Sequence, residues 1–233
     1  FSATGGLEGL SKLAYGTLES FSEQQLVDCS RSFGNQACNG GLMDNAFKFV
    51  KDHGITTEES YPYKAVKQTC KTNSGDFKIS GFTDIKNCND LATAVTGRPV
   101  SVAVDATNWS PYRSGIFTNC AKNVNHGVLL VGATDDYWRI KNSWGASWGD
   151  QGSLDSAEVP PTPILALFAS ILHTQPSDTI AYHYGNLQYY AFEISYFLFL
   201  FTPNNPQTKY WKRRIKSNLL STKDMYSIKK SAI

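Results

Sequence analysis

The sequence predicts an α+β fold with helices first and antiparallel strands second. Apolar residues at helical spacing dominate the first third, and runs rich in β-branched residues come after "YPY". A three-residue "TDD" joins the last two of those runs, a hairpin-length connection. In residues 1–15, Ala3, Leu7 and Leu10 recur at spacings of four and three, one helical face. No Ser, Thr, Asp or Asn stands before Phe1 to receive the first free amides, so the helix is expected to start upstream.

"SFSEQQLVDC" comes next, where Ser22, Gln25 and then Leu26 and Val27 form a capping-box start to a short helix ending near Cys29. The glycine-rich "CNGG" at 38–41 leads into "LMDNAFKFVKDHG", expected to turn Leu42, Ala46, Phe49 and Val50 inward and to stop at Gly54. "FKISGFTDI", "PVSVAVDA", "HGVLLVGA" and "YWRIKNSW" read as strands, with a helical "NDLATAVTG" between the first two. After Gly152 the text changes: "AEVPPTP" is a linker-like break, and the residues beyond it have no sustained period. Two segments are therefore expected, a folded domain at 1–152 and an unrelated tail at 153–233, mistranslated or disordered.

The chain has 233 residues, 41% apolar and 13% aromatic, enough for a packed core. A net charge of +2 gives no argument for nucleic acid; residues 1–152 carry 14 basic and 15 acidic side chains, the remainder 8 and 5. Within the tail, "KYWKRRIK" at 209–216 reads as a solvated face. Cys29, Cys38, Cys70, Cys88 and Cys120 form no CxxC pair, which disfavours a zinc ribbon, and their odd number leaves at least one unpaired within the chain. The longest apolar run, 189–201, is too short to span a bilayer and contains Glu193. No metal or organic cofactor is implied, and His53, His173 and His183 have no ligand spacing.

His126 and Asn142 fall on the two strands that the "TDD" turn folds together, which can set them side by side. Alone, a histidine in an apolar strand is more often a core residue than a catalyst. Trp144 and Trp148 lie just beyond, between glycine turns, a pattern that also suits core packing.

Taken in order, "SEQQLVDC", "CNGG", "YPY", "VNHGVLLVG" and "NSWGASWGD" resemble the papain-like cysteine peptidases, closest in flavour to the cathepsin L type. The resemblance covers residues 1–152 and implies two subdomains, a helical left part and an antiparallel β-barrel right part, incomplete at both ends. It implies a cysteine-type endopeptidase in which His126 is acid and base, Asn142 orients the ring and Trp144 shields the pair. The family's nucleophilic cysteine falls upstream of Phe1, so the chain as written is expected to be inactive. Ser2, about 6 Å further down the helix, lies too deep to replace it. Gly40 and Gly41 match the strip that pairs with substrate backbone. Leu42, Met43, Ala103, Val124 and Asn125 match a pocket for the second residue before the scissile bond, although Leu42 and Met43 can equally begin a core helix.

By the same resemblance Cys29 pairs with Cys70, Cys38 and Cys120 pair outside this sequence, and Cys88 has no counterpart. The implied partner is a peptide or protein substrate of a monomeric protein, without nucleic acid or membrane contact. The implied setting is lysosomal, vacuolar or extracellular, although no signal peptide is read in the chain. The alternative is a papain-fold module that binds peptides or proteins without cutting them.

Overall fold

The computed structural model describes residues 1–157 and 169–173. The basic cluster at 209–216, the aromatic run at 189–201 and His183 lie outside the described residues.

Helix α1 (Ser2–Tyr15) buries nearly all of its first ten residues and ends at Gly16, which takes a left-handed conformation. Besides Leu7 and Leu10, it presents glycines to the sheet. A Cβ on Gly5 would lie 2.9 Å from Leu129 Cδ2, and one on Gly9 2.8 Å from Pro99 Cγ. Glycine in a helix costs roughly 1 kcal/mol against alanine, and here the close approach of helix to sheet offsets it.

Helix α2 (Glu23–Cys29) starts as the capping box predicts, with the Ser22 hydroxyl accepting from the Gln25 N–H at 2.9 Å. Two short 3₁₀ turns, Ser30–Phe33 and Ala37–Asn39, lead to α3 (Met43–His53). Ala46, Phe49 and Val50 point inward as expected, and Phe47 joins them. Leu42 does not: it is the N-cap residue, in extended backbone and 55% exposed. Its position one residue before the first helical turn takes it off the apolar stripe. Helix α4 (Cys88–Val95) is capped by Asn87, which accepts from the Asp90 N–H.

The strands are β1 (Gly81–Ile85), β2 (Val100–Val104), β3 (Ile116–Phe117), β4 (His126–Ala133), β5 (Tyr137–Lys141), β6 (Ser153–Ala157) and β7 (Ala169–His173). They form one sheet in the order β1-β7-β2-β4-β5-β6-β3, antiparallel except for β3 beside β6. The stretch expected as a strand from Phe77 is regular only from Gly81; Phe77 instead makes an isolated bridge with Ile55. Beyond Gly152 the sheet continues, with β6 on β5 and β7 between β1 and β2.

Two cores result. Leu7, Phe47, Phe49, Val50, Ile55 and Ile79 fill the helical half; Leu91, Val102, Leu130, Trp138, Ile140 and Leu154 fill the other. The start of α1 lies where the halves meet: the buried Ser2 hydroxyl donates to Val128 O at 2.6 Å, and the Ser101 hydroxyl to Ser2 O at 2.8 Å. Cys29 and Cys70 are bonded, while Cys38, Cys88 and Cys120 are in no disulfide.

Candidate active site

His126 is the first residue of β4 and lies opposite Val104 of β2. Asn142 is the first residue beyond β5, where the chain leaves the ladder and its N–H donates to Gly152 O at 2.9 Å. The hairpin sets the two side by side, with His126 Nε2 2.8 Å from Asn142 Oδ1. The Ser143 N–H donates to the same Oδ1 at 2.8 Å, which identifies that atom as the acceptor. Nε2 must therefore carry the proton, and Nδ1 is left for other chemistry.

Trp144 stacks on the imidazole, ring centroids 5.2 Å apart and planes 29° apart. Trp109 meets the imidazole edge-on at 6.3 Å and stacks on Trp148, whose Nε1–H donates to Trp109 O at 3.2 Å. Trp109 carries no motif; only its packing with Trp144 about one histidine reveals it. Asn142 is 6% exposed, whereas Trp144, which stacks on its imidazole partner, is 40% exposed. Burial holds the imidazole below its ordinary range, and the Asn142 bond opposes this. The start of α1, with its positive dipole end, lies close by, since the Ser2 hydroxyl donates to Val128 O and Ser2 lies against Gly127, the residue after the histidine.

An imidazole held in one tautomer near a helix N-terminus can take up and return a proton. Residues 1–158 match the papain family cysteine protease domain.

The chain belongs to the papain family of cysteine proteases.

It is 49% identical over 157 residues to Cathepsin L 2 of Paramecium tetraurelia, covering 66% of this chain and 50% of that protein. To Cathepsin L1 of Drosophila melanogaster it is 50% identical over 168 residues, 65% of this chain and 45% of the relative. The chain thus spans about half the length of the curated relatives it matches. Among solved structures, a cysteine protease of Carica candamarcensis superposes with a TM-score of 0.70 at 30% identity, covering 75% of this chain and 87% of that one. Procathepsin L 3 of Tenebrio molitor gives 0.69 at 41%, covering 74% and 62%.

The other family positions are distributed unevenly around the pair. Met43 reaches the strand bearing the histidine: a Cβ on Gly127 would lie 3.1 Å from its sulfur, and Gly127 pairs with the buried Ala103. Leu42 and Val124 are exposed. Asn125 spends its amide internally, accepting from the Ala106 N–H and donating to Asp105 and Thr107. Gly40 has φ 104° and open space before it, whereas Gly41 is required by Asn35, whose Oδ1 accepts the Leu42 N–H and would lie 2.3 Å from an added Cβ. Ser2 is buried with its hydroxyl committed to Val128 O. Among the described residues no group of His, Cys, Asp and Glu could hold a metal, and no helix is long and apolar enough to cross a membrane.

Proposed function

We propose that this chain carries the acid, base and orienting residues of a papain-type cysteine endopeptidase whose nucleophile is supplied by residues preceding Phe1. The observation that carries the reading is the His126–Asn142 hydrogen bond under Trp144, beside the start of α1. Cys29 and Cys70 are bonded to each other, Cys38 and Cys120 are exposed, and Cys88 opens α4. On this reading the chain as written does not cleave peptides by itself.

With a thiol placed at the first turn of α1, His126 Nδ1 takes its proton and the thiolate attacks the scissile carbonyl carbon. The imidazolium then protonates the leaving amine as the C–N bond breaks, giving a thioester. Water attacks the thioester with His126 as base, releasing the acid and restoring the thiol. Asn142 holds Nε2–H throughout, so Nδ1 always faces the reacting atoms. Gly40 and Gly41 offer backbone to an extended substrate, and Leu42, Met43, Ala103, Val124 and Asn125 border a pocket for a hydrophobic side chain two residues before the cut. Such an enzyme acts as a monomer on peptides or proteins in a lysosomal, vacuolar or extracellular setting.

The test compares this chain with the same chain extended by the residues that precede Phe1 in its transcript. The extended form should hydrolyse a fluorogenic peptide with a hydrophobic second residue, and His126→Ala should abolish this. The chain as written should neither hydrolyse it nor be labelled by a thiol-trapping epoxide. His126-dependent labelling of the chain as written overturns the external nucleophile, and an extended form that binds peptide without cutting it supports the non-catalytic module.

A further inference from the structure

We propose that Asp105 is a positioning residue for His126, acting through Asn125 and through the turn that carries Trp109. The significance for catalysis rests on His126 being the acid and base, but the geometry stands without it. Asp105 comes directly after the last residue of β2 and Asn125 precedes the first residue of β4, so the two flank the Val104–His126 pair of the ladder. Asp105 is 7% exposed and takes part in neither ion pair found among the described residues. A buried carboxylate without a cation is tolerated only when N–H donors surround it.

Its donors come from two segments. Oδ1 accepts from the Thr107 N–H at 2.9 Å and from Asn125 Nδ2 at 3.3 Å, and Oδ2 accepts from the Asn123 N–H. Asn125 returns the link: Oδ1 accepts from the Ala106 N–H at 2.9 Å, Nδ2 donates to Thr107 Oγ1 at 3.0 Å, and the backbone N–H donates to Val104 O at 3.0 Å. One fastened segment, 123–126, ends on the histidine itself. The other, 105–109, is closed by the Trp109 N–H donating to Ala106 O at 3.0 Å and ends on the indole that meets the imidazole edge-on. A hydrogen bond such as Nε2–H to Asn142 survives only small displacements of the ring, of the order of ~0.5 Å, so the residue tying both segments governs its alignment.

The experiment is NMR of the full chain with ¹⁵N-labelled histidine, with His126→Gln identifying the His126 signals. The parent should show one neutral tautomer, protonated at Nε2. Folded Asp105→Asn should show both tautomers and a displaced titration midpoint, neither of which lost stability alone would produce. Asn125→Ala should do the same, and the double variant should go no further than the more affected single one, since the two lie on one path. A mixed tautomer in the parent, or an unchanged single tautomer in folded Asp105→Asn, overturns the proposal. If Asp105→Asn does not fold, Asn125→Ala decides by the same criterion. No nucleophile enters this readout, so failure of peptide hydrolysis in the extended chain overturns the functional reading and leaves this one standing.

Discussion

His126 is depressed by burial, so below the ordinary histidine value of 6.5 the unfolded chain binds a proton that the folded chain resists. Stability is therefore lost as pH falls from that value through the folded one. Trp144, stacked on the ring, reports the event, since an imidazolium quenches indole emission. Fluorescence should fall in a step centred below 6.5 that disappears in His126→Ala; a step centred above it would contradict the effect of burial. Because the bond to Asn142 raises the histidine, Asn142→Ala should move the step to still lower pH and cost about 1–3 kcal/mol in urea unfolding. Asp105 is held below the ordinary carboxylate range, hydrogen bonds with Thr107 first, so its clasp persists into acid and loosens only as pH falls through that lowered value. The hairpin that joins His126 to Asn142 was legible from its two strands and short turn, and the family resemblance singled out Trp144 with them. Trp109 and Asp105 were not, because their contacts with the β4 start depend on the β2–β4 register and on a turn that no local pattern announces.

Helices α1, α2 and α3 obey the sequence pattern closely because each is set by a local period and a local stop, Gly16 and Gly54 among the stops. What periodicity misses in α1 is its second, glycine-lined face, visible only once Leu129 and Pro99 occupy the space. Between α3 and β1 the chain is held by backbone crossing backbone. A Cβ on Gly75 would lie 2.0 Å from the Ile55 carbonyl carbon, so no side-chain rotation can relieve it. Gly75→Ala should lower stability by roughly 3 kcal/mol, read as a lower urea midpoint at unchanged slope. The Cys29–Cys70 bond spans 41 residues and ties α2 to the loop after "YPY". By loop-closure entropy its removal in Cys70→Ser should cost about 4 kcal/mol, checked by the same unfolding curve.

The two cores meet at α1 and along a single sheet, so the site depends on both halves: α1 and Met43 come from one, His126 and Asn142 from the other. Leu172 of β7 is 4% exposed and packs in the helical core, while its strand lies between β1 and β2. Leu172→Ala should therefore cost about 2–5 kcal/mol and, if the halves unfold together, shift the far-ultraviolet and tryptophan transitions equally. Separate transitions would show that the halves are energetically independent. The sequence by itself determined the α+β class, the existence of the helices and the hairpin, since periodicity, caps and turns act over a few residues, and its family resemblance pointed to His126, Asn142 and Trp144. Only the tertiary structure decided that β7 would sit between β1 and β2, that Leu42 would face outward, that Trp109 would meet the histidine and that Asp105 would fasten the residues before it. Those outcomes depend on which distant segments bury surface and satisfy hydrogen bonds against one another, an interaction between segments that no single stretch of sequence specifies.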